Sequence, residues 1–142
     1  MTLIHIIYVS AATNEMSELD LAGILDVSRQ KNLKFGITGM LLYHRGHFMQ
    51  VLEGESQFVD EVMSRIKVDA RHHSVTVLER YVILKRDFAN WSMGFCKVSD
   101  AEVYAYPEFI DFFSPSFDIY KSGVRLGPPL LMLKAFAKNI PI

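Results

Sequence analysis

The stretch GITGMLLYHRGHFMQVLEG, residues 36–54, constrains this chain more than any other. Its length and its glycine predict an antiparallel hairpin, with strands over 37–43 and 47–53 joined by a turn at His44, Arg45 and Gly46. Gly54 is expected to end the second strand. Side chains alternate along a strand, so Phe48, Gln50 and Leu52 share one face while His47, Met49 and Val51 share the other. An uncharged amide therefore sits between a Phe and a Leu on a face made for burial. Left unpaired, it would cost about 1–3 kcal/mol, so either the protein or a ligand must give it hydrogen bonds.

The remaining elements follow from the same periodicities. Residues 3–9, LIHIIYV, are apolar on both faces, as in a central strand covered from two sides, and Ile4, Ile6 and Tyr8 share a face. Ser17 with Asp20 three residues on resembles a capping box and opens a helix. Leu21, Ile24, Leu25 and Ser28 form its inner face; Asn32 sits just past that face where the helix should be ending, and Gly36 turns the chain. Phe58, Val59, Val62, Met63 and Ile66 mark a second helix over 56–67. A polar stretch, 69–74, precedes a strand over 75–84. After the link KRDFAN a last strand is expected over 91–98, with Trp91, Met93 and Phe95 alternating with Ser92, Gly94 and Cys96.

The order β, α, β, β, α, β with one more strand predicts an α+β, ferredoxin-like sandwich whose right-handed crossovers put both helices on one face of the sheet. Met40, Leu42, Met49 and Val51 then point to the other face and need a cover. The tail supplies Phe109, Ile110, Phe112 and Phe113, then Gly127 and Pro128 opening a helix with Leu130, Leu131, Leu133 and Phe136. The expected division is a domain over 1–98 and a helical extension over 99–142 packed on the sheet.

Composition narrows the function. A chain of 142 residues, half of them apolar, fits a single well-packed domain, and its scattered cations and net charge of −1 argue against nucleic acid. No run nears the ~18 apolar residues of a membrane span, and no signal pattern opens the chain, so a cytoplasmic location is expected. The lone Cys96 reads as an ordinary buried thiol. No metal site is expected, because His44, His47, His72 and His73 fall on turns and loops without a carboxylate at helical spacing. An acylphosphatase-type hydrolase of the same plan would need an arginine in the loop after the first strand, and SAATNEM has none.

One site gathers the rest. Tyr8, Gln50, Asn32, Ser28, Trp91 and Met93 are expected on the helix-covered face, with Ile24 and Ile66 as aliphatic walls. An apolar slot edged with amides suits a flat polar heterocycle, which a colourless ligand of a non-photoactive regulatory module would also satisfy. No glycine-rich phosphate loop is present; Arg29, Lys31, Arg65 and Arg71 are the cations available to a phosphate.

These residues carry a resemblance. IYVS with Tyr8, NLKFGITGMLLY with Asn32, GHFMQVLEG with Gln50, DARHHS with Arg71 and His72, and NWSMGF with Trp91 and Met93 stand in the order and spacing of a BLUF domain, a flavin-based blue-light sensor. The chain resembles the short, stand-alone BLUF proteins with C-terminal helices, which are not enzymes. The resemblance implies a flavin between the two helices, FAD with FMN and riboflavin as alternatives, bound by Tyr8, Ile24, Ser28, Asn32, Gln50, Ile66, Arg71 and His72. It implies that Tyr8 gives an electron and then, through Gln50, a proton, leaving Gln50 in a changed tautomer or orientation. Trp91 and Met93 compete for the place near it. The signal then passes through the C-terminal helices to a downstream protein or a second subunit of a homo-oligomer.

Overall fold

A computed structural model describes residues 2–101 together with residues 130, 133 and 134. Seven elements follow in order: β1 (Leu3–Ala12), α1 (Glu18–Phe35), β2 (Thr38–His44), β3 (His47–Glu55), α2 (Ser56–Lys67), β4 (His72–Val82) and β5 (Gly94–Lys97). The strands form one sheet in the order β4-β1-β3-β2-β5, antiparallel except where β5 runs parallel to β2. This is the expected ferredoxin-like plan with a fifth strand. Among the described residues no helix is long and apolar enough to cross a membrane.

Local chemistry sets the element ends. The Ser17 hydroxyl accepts from Asp20 N and the Asp20 carboxylate accepts from Ser17 N, so the shorter acid completes the capping box usually closed by Glu. At the other end of α1, Gly36 takes a left-handed conformation (φ 66°) and its N–H returns to the Asn32 carbonyl. Asn32 thus lies inside the last turn and is itself buried. The hairpin turn uses two residues, Arg45 (φ 45°) and Gly46 (φ 80°), which keeps His44 paired with His47.

Several boundaries differ from the expected ones: β1 runs on to Ala12 and β2 spans Thr38–His44. β3 runs through Gly54 to Glu55; a Cβ on Gly54 would lie 3.2 Å from Val59 Cγ2 and 3.3 Å from Gly36 O, so this glycine permits close packing rather than ending the strand. β4 starts at His72 because His72 and His73 pair with Ala12 and Ala11, and it stops at Val82. β5 covers only Gly94–Lys97, since the chain bends at Ser92 and Met93. Because of that bend, Trp91 does not share the Met93 face. Its ring packs in the opposite layer, 6.3 Å from the Phe88 ring, while Met93 is buried on the helix side.

The sheet separates two apolar layers. Ile4, Ile6, Tyr8, Leu25, Leu52 and Met63 belong to the one under the helices, and Ile7, Val9, Met40, Leu42, Met49 and Val51 to the other. Leu133, wholly buried, joins the second layer with Leu130 against it, and Lys134 Nζ lies 3.2 Å from Asp87 Oδ1. Of the residues expected to cover this layer, Leu130 and Leu133 are the described ones. Phe109, Ile110, Phe112, Phe113, Gly127, Pro128, Leu131 and Phe136 lie outside the described residues. Cys96 is partly buried against the same layer.

Candidate functional site

Between α1 and α2 opens a cavity of about 150 Å³, many times what a single water needs. β1 and β3 give its floor Tyr8 and Gln50; α1 supplies Ile24, Ser28 and Asn32; α2 supplies Ile66; and Arg71 and His72 close one end. All eight residues expected to meet a cofactor line this one space. Met93 reaches it through Gln50, whereas Trp91 stands in the other layer.

Register brings Tyr8 and Gln50 together, since they are cross-strand partners. The Tyr8 hydroxyl donates a short hydrogen bond to Gln50 Oε1, and Gln50 Nε2 donates to Met93 Sδ at 3.3 Å. A thioether can only accept, so Met93 fixes which end of the amide faces it. Burial, with the Asp69 charge as a smaller cause, pushes the Tyr8 phenol far above its ordinary value. Tyr8 is therefore a neutral donor at physiological pH.

The α1 side ties the site to the segment before β5. Asn32 Nδ2 donates to Ser92 O at 2.6 Å, and Arg29 Nε donates to Met93 O at 3.0 Å. Arg29, one of the candidate phosphate cations, is thus engaged with backbone and is absent from the cavity wall. Lys31 and Arg65 do line it, the latter paired with Glu61 at 3.0 Å.

Asp69 also lines the cavity and was hidden in a polar stretch that reads as a loop. Arg71 Nε lies 3.0 and 3.1 Å from its two carboxylate oxygens, and these contacts hold the Asp69 carboxyl down at about 2. The charge pattern at this end is therefore a paired Asp–Arg rather than a bare guanidinium. His72 Nε2 lies 2.5 Å from Ile66 O and its Nδ1 2.8 Å from Ser10 Oγ. A carbonyl only accepts, so Nε2 carries the hydrogen, and the ring stands edge-on to Tyr8 at 6.4 Å. His44 Nδ1 meets Val98 O at 2.8 Å in the same structural way.

The model of the family described as BLUF, sensors of blue-light using FAD, matches residues 3–94. Photoactivated adenylate cyclase subunit beta of Euglena longa is 37% identical over 93 residues, 65% of this chain and 11% of that protein. This chain thus spans about a tenth of that relative's length. Among solved structures, the photo-activated state of BlsA superposes with a TM-score of 0.78 and 26% identity, covering 99% of this chain and 98% of that one. The dark state of BlrB, a BLUF protein, gives 0.74 and 28%, covering 96% and 97%. With the family model spanning β1 to β4, both helices and the Tyr8–Gln50–Met93 series, the chain belongs to the BLUF family of blue-light sensors.

Proposed function

We propose that the cavity binds the flavin as FAD, with Ile24 and Ile66 against the ring faces, Asn32 and Gln50 at its edge, and Ser28, Arg71 and His72 around its substituents. FAD is the flavin in the family's own description, and FMN and riboflavin share the ring that these residues would hold. The observation that carries the reading is the state of the two buried amides. Gln50, 6% exposed, gives its oxygen to Tyr8 and one amide hydrogen to Met93, which leaves a second hydrogen for a ligand. Asn32, 3% exposed, uses its NH₂ on Ser92, and its oxygen has no partner among the described residues. A donor and an acceptor at the rim of an apolar slot fit a heterocycle of mixed edge.

When bound, a flavin absorbs blue light and becomes a strong oxidant. Tyr8 is the electron donor of the chain, because it is buried, protonated and already bonded to Gln50. A phenol that loses an electron to the flavin becomes a strong acid, so its hydroxyl proton would pass to Gln50 Oε1 as Gln50 Nε2 gives one up to the flavin edge. Return of that electron and proton would leave Tyr8 and the flavin unchanged and Gln50 in a changed tautomer or orientation. Gln50 then offers a donor where it had an acceptor, and the bond from Nε2 to Met93 Sδ is the one this reversal breaks. One hydrogen bond is worth about 1 kcal/mol, so the element it biases must already be poised between two states. Residues 99–142 are the proposed output, through contact with a partner protein or a second copy of the chain. Light control of a partner is supported by the relative, whose name is that of a photoactivated cyclase subunit.

The test is optical. Purified protein should be yellow and shift reversibly to the red under blue light. Tyr8→Phe and Gln50→Ala should keep the colour and lose the shift; a normal shift in either refutes the mechanism, and a colourless preparation that takes up no added flavin refutes the cofactor.

A further inference from the structure

Residues 91–96 alternate like a strand, and a strand running back to Trp91 would place the indole beside Met93 on the helix side. The two side chains nevertheless stand in opposite layers. We propose that Arg29 and Glu53 form a two-sided clamp that keeps Met93, and not Trp91, at Gln50. Both are positioning residues: they act on Gln50 through Met93. The inference rests on the reading above that Gln50 is the switch.

One jaw comes from α1. Arg29 is half-buried and its Nε holds Met93 O at 3.0 Å, with Asn32 Nδ2 on the preceding carbonyl, Ser92 O, at 2.6 Å. The other jaw comes from β3. Glu53, fully buried, accepts from Asp87 N at 2.6 Å, from Phe88 N at 3.0 Å and from Thr38 Oγ1 at 2.9 Å. Arg86 Nη1 closes the loop onto the same place, reaching Thr38 Oγ1 at 2.9 Å and Glu53 O at 3.1 Å. A buried carboxylate with three donors is an anchor rather than a surface charge.

Between the jaws the segment has little freedom. Trp91 N returns to Phe88 O at 3.0 Å and Gly39 N donates to Trp91 O at 3.1 Å. Gly94 lets the indole lie over the backbone, because a Cβ there would come within 2.3 Å of Trp91 Cε3. Glu53 and Gln50 belong to one strand and face opposite ways, so β3 presents the switch to Met93 on one side and the anchor to the Trp91 loop on the other. Releasing either jaw allows β5 to extend back along β2, and that extension carries Trp91 toward Gln50.

Trp91 is the only tryptophan, so fluorotryptophan gives one probe in the full, flavin-loaded chain. The unmodified chain should show one fluorine resonance, with indole contacts to Phe88 and Leu133. Arg29→Ala, which keeps a good helix former on α1, should raise a second resonance about tenfold or more in population, with indole contacts to Leu41. Arg29→Lys, which retains a cationic donor, should return the single line. Glu53→Gln, which loses the charge but keeps an acceptor, should show the same second resonance in a smaller share; should it fail to fold, the two Arg29 variants decide. One unchanged line in a yellow Arg29→Ala protein overturns the clamp and leaves the flavin reading intact. So does a second line without cavity-side contacts, or identical behaviour of the Ala and Lys variants. A colourless protein instead overturns the reading of the site.

Discussion

Tyr8 and Gln50 meet because β1 and β3 are in register at that pair, and their bond is strengthened because both side chains are almost wholly buried. The sequence already shows the awkward amide and the tyrosine on a shared face. It does not show that Asp69 would join them, since a carboxylate in a polar run has no periodicity to mark it. Asp69 owes its low value of about 2 first to the hydrogen bonds from Arg71. A carboxyl depressed in the folded state adds stability above its unfolded value of about 3.9, and that contribution disappears as pH falls from there through about 2. Arg71→Gln should therefore lift Asp69 toward about 3.9, as read by carboxyl NMR titration. The Arg71 side chain is 55% exposed, so the same variant should cost well under about 1 kcal/mol of stability. An unmoved Asp69 titration would show that the pair does not set its acidity.

At the scale of elements, legibility follows locality. The helix ends and the hairpin were readable because their causes lie within a few residues: Ser17 with Asp20, Gly36 in the left-handed region, Arg45 and Gly46 in the turn. The capping box can be tested by Ser17→Ala on an exposed residue, which should lower stability by about 1 kcal/mol in denaturant unfolding without altering the flavin spectrum. A loss below about 0.3 kcal/mol would mean that the cap contributes nothing beyond solvent. The start of β5 was not readable, although its alternation is clean. Arg29 and Asn32 hold the bend at Ser92 and Met93, Gly39 holds the Trp91 carbonyl before it and Glu53 the loop at Asp87 and Phe88; all are distant in sequence and act by tertiary bonds alone. Gly54 misleads for a related reason: its need is set by Val59 and Gly36, packed against it, and not by a turn.

Across the whole molecule, β3 is the wall between a polar switch and an apolar layer. Gln50 projects toward the cavity while its neighbours Met49 and Val51 project into the layer that Leu133 enters. Leu133 is wholly buried there, and Lys134 beside it reaches Asp87 in the loop anchored by Glu53. The tail thus touches both the back of the switch strand and the loop that carries Trp91. Leu133→Ala removes a buried side chain from a layer that cannot collapse fully, since Met40, Met49 and Val51 are held by the sheet. It should cost about 2–5 kcal/mol, lowering the denaturant midpoint, while the flavin stays bound because the cavity lies across the sheet. A loss under about 1 kcal/mol would show that this part of the tail is not core. A bleached but equally stable protein would instead show that the two layers are coupled more tightly than their separation by one sheet implies, making the tail part of the cofactor site itself.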